Sequence, residues 1–162
     1  MNNYRMSFVK KFDHYFGHKE VSNIIYLHDE ADDERLDHVL FLEEANGDVV
    51  GLYIRGMNPL ISGHRIDDLD DFNLYASYEE GLIERKEKFE IRVQLVFLFF
   101  ATDYNELLGF YLANDSASRS LLVLFLQDKM VIEKNCSEYE AGRVLERKHA
   151  TTSYITYKKR YK

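Results

Sequence analysis

FEIRVQLVFLFF, residues 89–100, is the strongest β-strand pattern in the chain. Its even-numbered positions begin with Glu90 and Arg92 and become apolar from Val96 onward, so the face they form starts in water and becomes covered. The other face is apolar along its whole length, as when a strand packs on a core. Its residues are Phe89, Ile91, Val93, Leu95, Phe97 and Phe99. The pattern predicts one continuous strand over residues 89–100 inside a β-sheet.

Segments on both sides of this strand predict further strands and two helices. Runs of branched and aromatic residues bounded by turn residues favour strands; they lie at 23–27, 39–42, 49–54, 107–112, 121–126, 130–133 and 151–157, with a second hairpin from 73–78 and 82–87. Helical spacing of apolar residues predicts a helix at 7–16, and a Ser-x-x-Glu capping box opens another at 137–149. The predicted fold class is α+β. It is a mostly antiparallel sheet of six or more strands with an N-terminal and a C-terminal helix.

The clearest local signal is the hairpin around Asn46-Gly47, the dipeptide preferred in type I′ turns. A two-residue loop there would place Leu40 opposite Tyr53 and Leu42 opposite Gly51. Both strand faces are apolar near the base of the hairpin, which predicts strands inside the sheet. The competing prediction is a helix over residues 34–45, ending at Asn46-Gly47.

Composition favours a single globular domain over residues 1–162, with a basic terminal segment at about 158–162. We interpret that segment as a frayed, solubilising terminus. The one cysteine, Cys136, cannot form an internal disulfide, which fits a reducing compartment. No signal-peptide pattern is present, and the longest apolar runs, 96–101 and 121–126, are far shorter than the ~20 residues of a membrane span. We therefore expect a soluble, cytoplasmic protein that does not bind membranes.

The acidic residues are concentrated in the first part of the chain. Residues 1–90 carry 20 acidic and 10 basic residues, and residues 91–162 carry 8 and 11, so the formal net charges are −10 and +3. Repulsion from phosphates makes the first part unsuited to nucleic acid. Its field favours a basic protein partner instead. The alternative explanation is that these acids only keep the protein soluble.

Two dense acidic clusters, at residues 29–37 and 67–71, are predicted to lie in loops at strand ends, where scaffolds commonly present binding residues. Such carboxylates can imitate phosphates or capture Lys and Arg side chains. We interpret the protein as a non-catalytic inhibitor or immunity (toxin-neutralising) protein. Its basic partner would be a toxin or a nucleic-acid-binding enzyme. The predicted contact residues are Asp29, Glu30, Asp32, Asp33, Glu34, Asp37, Asp67, Asp68, Asp70, Asp71, Tyr75 and Tyr78.

A metal-dependent nuclease or phosphodiesterase is the first alternative. Such enzymes can hold Mg²⁺ between an Asp and a Glu-x-Lys triplet on adjacent strands. Here Glu84 and Lys86 would belong to the triplet, and Asp68 and Asp70 are the candidate aspartates. Arg85 weakens this interpretation, because the middle residue of the triplet should be apolar on a buried strand.

The remaining patterns are weaker still. His14 and His18 have the i, i+4 spacing of zinc ligands on a helix, but Gly17 is predicted to end the helix between them. Nucleophile-elbow, phosphate-loop and dinucleotide fingerprints are missing from the sequence, so we expect neither a cofactor nor a metal. A structural homo-oligomer whose apolar edge strands pair is the other alternative, and the oligomeric state stays open.

Overall fold

The structure is a computed structural model that describes residues 2–55, 58–63 and 81–162. These residues form two helices, α1 (Asn3–Phe16) and α2 (Glu138–Lys148), and ten strands. The strands are β1 (Glu20–Asp29), β2 (Val39–Glu44), β3 (Val49–Arg55), β4 (Asn58–Ser62), β5 (Leu82–Arg92), β6 (Leu95–Ala101), β7 (Leu107–Ala113), β8 (Ser120–Leu126), β9 (Lys129–Lys134) and β10 (Tyr154–Arg160).

The strands form two antiparallel sheets of five strands each. Sheet A has the order β4-β3-β2-β1-β5, and sheet B has the order β10-β6-β7-β8-β9. The α+β class, with more than six antiparallel strands and a helix towards each end of the chain, is confirmed. The prediction of one sheet is wrong, because the chain leaves sheet A and enters sheet B within residues 93–94.

Val93 and Gln94 divide the predicted strand of residues 89–100 into β5 and β6. The Val93 amide donates to the Lys19 carbonyl at 2.8 Å, and the Gln94 amide donates to the Ala113 carbonyl at 3.0 Å. The break shifts the alternation by one residue. The side chains that enter the core between the sheets come from odd positions in β5 and from even positions in β6. The sequence pattern looked continuous because both faces of β6 are apolar.

One apolar core joins the inner faces of both sheets with α1. The ring centroids of Phe12 in α1 and Phe110 in β7 lie 4.9 Å apart in an edge-to-face contact. The helix contributes one face at helical spacing, formed by Phe8, Val9, Phe12 and Phe16. Because alternate residues of each sheet also enter this core, the helix and the two sheets are held as one packed unit.

Both predicted helices form, and their caps explain their bounds. α1 begins earlier than predicted because Asn2 Oδ1 accepts the Arg5 amide at 2.9 Å. The predicted capping box of α2 is confirmed: Ser137 Oγ accepts the Glu140 amide, and the Glu140 carboxylate accepts the Ser137 amide, both at 3.1 Å. The buried face of α2 covers the outer face of sheet B with Ala141, Val144 and Leu145.

The predicted hairpin of β2 and β3 forms, so the alternative helix over residues 34–45 is wrong. Its register differs from the prediction by one residue, since Leu40 lies opposite Leu52 and not opposite Tyr53. The Gly47 amide donates to the Glu44 carbonyl at 2.9 Å, and Gly47 has a φ of +94°. This geometry is that of a three-residue loop ending in a left-handed glycine, which the Asn-Gly pair serves equally well.

The C-terminal residues are fixed, contrary to the interpretation of a frayed terminus. Residues 158–160 belong to β10, which pairs with β6 along its whole length. Tyr161 is 8% exposed, and its hydroxyl donates to Asp13 Oδ1 of α1. Lys159 Nζ lies 3.0 Å from the other carboxylate oxygen of Asp13. Lys158 and Arg160 are therefore exposed on an edge strand, while Lys159 and Tyr161 contact Asp13 of α1.

Candidate functional site

The first acidic cluster forms the connection between β1 and β2, and we call residues 29–37 the acidic loop. Backbone hydrogen bonds hold it as a tight turn. The Asp33 amide donates to the Asp29 carbonyl at 2.8 Å, and the Asp29 amide donates back to the Glu34 carbonyl at 2.9 Å. The Leu36 amide donates to the Leu27 carbonyl at 2.8 Å. The loop thus continues the hydrogen bonding between β1 and β2, which limits the number of conformations its backbone adopts.

Two of the predicted contact residues are used to shape this turn. Asp29 Oδ1 accepts the Ala31 amide at 2.8 Å. Asp32 Oδ1 accepts the Glu34 amide at 3.0 Å. Aspartates commonly hydrogen-bond the backbone two residues onward in this way. Asp29 and Asp32 therefore have a structural use in addition to their charge.

Asp33 ties the acidic loop to β5. It has a φ of +55°, a left-handed conformation that Asp tolerates better than most residues. Its Oδ1 accepts from Arg85 Nε at 3.2 Å and from Arg85 Nη2 at 3.0 Å. The Asp33 carbonyl lies 2.9 Å from His28 Nδ1. Arg85, the residue that weakened the nuclease interpretation, is therefore an exposed partner of the acidic loop.

The other three acids of the loop face solvent. Glu30 and Glu34 are exposed, and in the described part of the chain their carboxylates have neither a hydrogen bond nor an ion pair. Asp37 Oδ1 lies 3.6 Å from Arg35 Nη2. With six acidic residues and one arginine, the loop has a formal charge of −5. Among the described residues, four carboxylates of the loop have no ion pair: those of Asp29 and Asp32 accept backbone amides, and those of Glu30 and Glu34 have no hydrogen bond.

Sheet B adds a further acid to this end of the molecule. The Met130 amide donates to the Asp37 carbonyl at 2.7 Å, which places the turn between β8 and β9 beside the acidic loop. Asp128 in this turn acts electrostatically on His38, as does Asp37. Burial lowers the pKa of His38, and these two carboxylates oppose that shift. The sequence could not indicate Asp128, because the contact joins strands of different sheets.

A group of side-chain contacts joins the two sheets next to the acidic loop. The Tyr26 hydroxyl donates to Glu87 Oε1 at 3.2 Å, and Lys134 of β9 forms an ion pair with the same carboxylate. The guanidinium of Arg35 lies over the Tyr26 ring, 5.2 Å from its centroid. Burial and the neighbouring Glu87 carboxylate raise the pKa of Tyr26 to about 12. Tyr26 therefore stays protonated and links the loop to both sheets.

The second acidic cluster lies outside the described residues, so its relation to the first stays a prediction. This applies to Asp67, Asp68, Asp70, Asp71, Tyr75 and Tyr78, and to the predicted strand at 73–78. The second strand of that predicted hairpin corresponds to the first half of β5.

The residues of the nuclease hypothesis that the structure describes are Glu84 and Lys86. They occupy alternate positions of β5, opposite Leu27 and Ile25 of β1. Lys86 Nζ lies 2.9 Å from Glu43 Oε1, so its charge is paired within sheet A. Among residues 2–55, 58–63 and 81–162, no group of three or more His, Cys, Asp or Glu side chains could hold a metal ion.

The predicted histidine pair is separated as expected. α1 ends at Phe16, and His18 has a φ of +60°, outside the helix.

Neither helix that the structure describes is long and apolar enough to cross a membrane. Comparisons with protein-family models, curated proteins and solved structures gave no match.

Proposed function

We propose that this protein is a non-catalytic binding protein of the inhibitor or immunity type, which docks its acidic loop onto a basic partner. The supporting observation is that the loop is held by its own backbone while the Glu30 and Glu34 carboxylates face solvent without partners in the described residues. A preordered loop loses little conformational entropy on binding. Carboxylates without internal partners are free to accept charge-assisted hydrogen bonds from Lys or Arg.

Within the proposed interface the acids have different tasks. Glu30, Glu34 and Asp37 would meet the partner directly. Asp29 and Asp32 would keep the turn in shape through their amide contacts. Asp128 would extend the negative surface onto sheet B, since its turn is hydrogen-bonded to the loop. A toxin or a nucleic-acid-binding enzyme supplies a matching surface, because the Lys and Arg residues that bind phosphates also bind carboxylates.

The test is a pull-down with the wild-type protein and with the double variant Glu30→Gln/Glu34→Gln. The matched control is Glu133→Gln/Glu138→Gln, which removes the same charge from exposed residues at the end of β9 and the start of α2. Captured basic proteins should elute when salt rises from about 0.1 M to about 1 M, where the Debye length falls from about 10 Å to about 3 Å. They should be lost in the loop variant and retained in the control.

Partners that bind equally to both double variants, or that resist high salt, would overturn the proposal. The nuclease alternative makes a different prediction, namely Mg²⁺- or Mn²⁺-dependent cleavage that disappears in Glu84→Ala. The oligomer alternative requires a mass well above 19.2 kDa by light scattering. Support for that alternative is weakened by the charged residues on the edge strands β5, β9 and β10, which are typical of edges protected against pairing.

A further inference from the structure

A second feature lies at the opposite end of β2 from the acidic loop. β2 ends at Glu44, beside an open cleft of about 430 Å³. With a rise of about 3.4 Å per residue, β2 places this cleft roughly 20 Å from the loop. The polar residues that line it are His14, Tyr15, Lys19, Glu44 and Asp48. The cleft is therefore a separate site from the proposed protein-binding surface.

Glu44 is the unusual residue of this cleft. It follows the core residues Leu40 and Leu42 on the same face of β2, and it is only 6% exposed. Its carboxylate has no hydrogen bond or ion pair with any residue in the described part of the chain. Buried carboxylates are normally paired, because removing a charge from water is costly. Most of the Glu44 side chain is buried, and its unpaired carboxylate opens to the cleft, which indicates a position prepared for a ligand's donor group.

Charges of both signs surround Glu44. Burial raises the pKa of the Glu44 carboxyl, Asp48 adds to that increase, and Lys19 and His14 oppose it. Lys19 nevertheless forms no ion pair with Glu44 within 4.0 Å. A purely cationic ligand would be repelled by Lys19, and a purely anionic one by the two carboxylates. A ligand that carries both charges fits both sides.

The remaining residues that line the cleft are apolar and closely packed. Val49 and Val50 line it beside Tyr15. A Cβ at Gly63 would lie 2.9 Å from a Tyr15 ring carbon, so the absence of a side chain there allows the ring to take its position. The volume is within the range of small-molecule sites. Val49 and Val50 are buried, so a small apolar side chain would meet mainly the Tyr15 ring on this wall.

We propose that this cleft binds a small zwitterion, an apolar α-amino acid. Its ammonium group would donate to Glu44, with Asp48 nearby. Its carboxylate would lie towards Lys19 and His14, and its side chain would pack mainly on Tyr15. Ammonium and carboxylate groups recognised together give selectivity against molecules that carry only one of them, because the unmatched side leaves a charged group unpaired.

The test is isothermal titration calorimetry of the whole protein with L-leucine, leucinamide and N-acetyl-leucine. L-Leucine should bind with a Kd of about 1 mM or below. Leucinamide lacks the carboxylate and N-acetyl-leucine lacks the ammonium, so each should bind at least about tenfold more weakly, the loss expected for one charge-assisted hydrogen bond. If the three compounds bind equally, or if L-leucine, L-valine and L-phenylalanine all fail to bind the folded protein, the proposal is overturned.

Variants locate the binding. Glu44→Gln and Lys19→Met should each weaken L-leucine binding at least about tenfold. The matched control is Glu106→Gln, which changes another nearly buried glutamate, 7% exposed, that does not line this cleft. Binding that persists unchanged in a folded Glu44→Gln variant would refute the site. NMR of the Glu44 carboxyl gives a readout on the wild type alone, because a bound ammonium must lower its pKa.

Discussion

Tyr161 and Asp13 join the last strand to the first helix, and removing their hydrogen bond should destabilise the protein measurably. The Tyr161 hydroxyl is in a residue that is 8% exposed, and it donates to a carboxylate. Burial and that hydrogen bond raise the pKa of Tyr161, so the hydroxyl stays protonated as the donor. Hydrogen bonds to charged groups contribute about 1.5–3 kcal/mol. Asp13→Ala leaves this hydroxyl without its acceptor, and we expect a loss of about 2–3 kcal/mol in the free energy of unfolding.

The measurement is urea unfolding of a double-mutant cycle made from Asp13→Ala and Tyr161→Phe. The coupling free energy between the two positions should be about 1–2 kcal/mol. For a chain of this size, the loss in Asp13→Ala corresponds to a fall in Tm of about 4–12 °C. Lys159 also approaches Asp13, but the two side chains are 40% and 35% exposed, so solvent screens that pair, whereas the Tyr161 hydroxyl belongs to a buried residue.

The matched control is Asp115→Ala, which removes another aspartate that meets a β10 residue. Asp115 pairs with Arg160, and the two side chains are 70% and 53% exposed. Its loss should change the free energy of unfolding by no more than about 0.5 kcal/mol. If the two variants were equally destabilised, or if the cycle gave a coupling below about 0.3 kcal/mol, the argument from burial would be wrong.

Three further predictions concern glycine positions, a helix cap and pH. Gly17→Ala should lower Tm, because a Cβ there would lie 2.7 Å from a carbonyl oxygen of α1 and 2.8 Å from the ring of the buried C-terminal tyrosine. Gly142→Ala has no atom within 4 Å of the new Cβ, and it should raise the free energy of unfolding by about 0.5–1 kcal/mol. Ser137→Ala should cost about 1 kcal/mol by removing the cap of α2, as measured by thermal unfolding, and a loss below about 0.2 kcal/mol would contradict the capping role. Burial lowers the pKa of His38 and of His149 below the ordinary 6.5, so the unfolded state binds more protons, and the free energy of unfolding should fall as pH decreases through 6.5 and below. Urea unfolding at several pH values measures this dependence. The free energy of unfolding should depend less steeply on pH in His38→Asn, and an unchanged pH dependence would contradict this assignment.

Local patterns predicted the elements well. The helices, the hairpin around Asn46-Gly47 and most strands were predicted because hydrophobic periodicity, capping residues and turn residues act within a few positions of the chain. The division into two sheets was not predictable in the same way. After Gln94 the even positions change from polar to apolar while the odd positions stay apolar. One strand passing from solvent into the core would show the same pattern, so only the hydrogen bonds to Lys19 and Ala113 reveal the break.

The site shows the same limit. Sequence predicted that the acids of residues 29–37 lie in a loop between strands, and this is confirmed. It could not separate Glu30 and Glu34, which face solvent, from Asp29 and Asp32, which hold the backbone. Nor could it predict that Glu44 ends β2 on the side that faces α1 and sheet B, because both faces of β2 are apolar and the pattern does not distinguish them.

The single passage from β5 to β6 among the described strands has a consequence for how the chain folds. Every strand of sheet A precedes residues 93–94, and every strand of sheet B follows them. In each sheet most paired strands are consecutive in the chain. One strand of each sheet pairs with a distant one: Asp29 of β1 pairs with Leu82 of β5, and Tyr154 of β10 pairs with Ala101 of β6. Closing such long loops is entropically unfavourable. We therefore expect the β2–β3–β4 and β7–β8–β9 meanders to form early in folding, and β5 and β10 to join their sheets last.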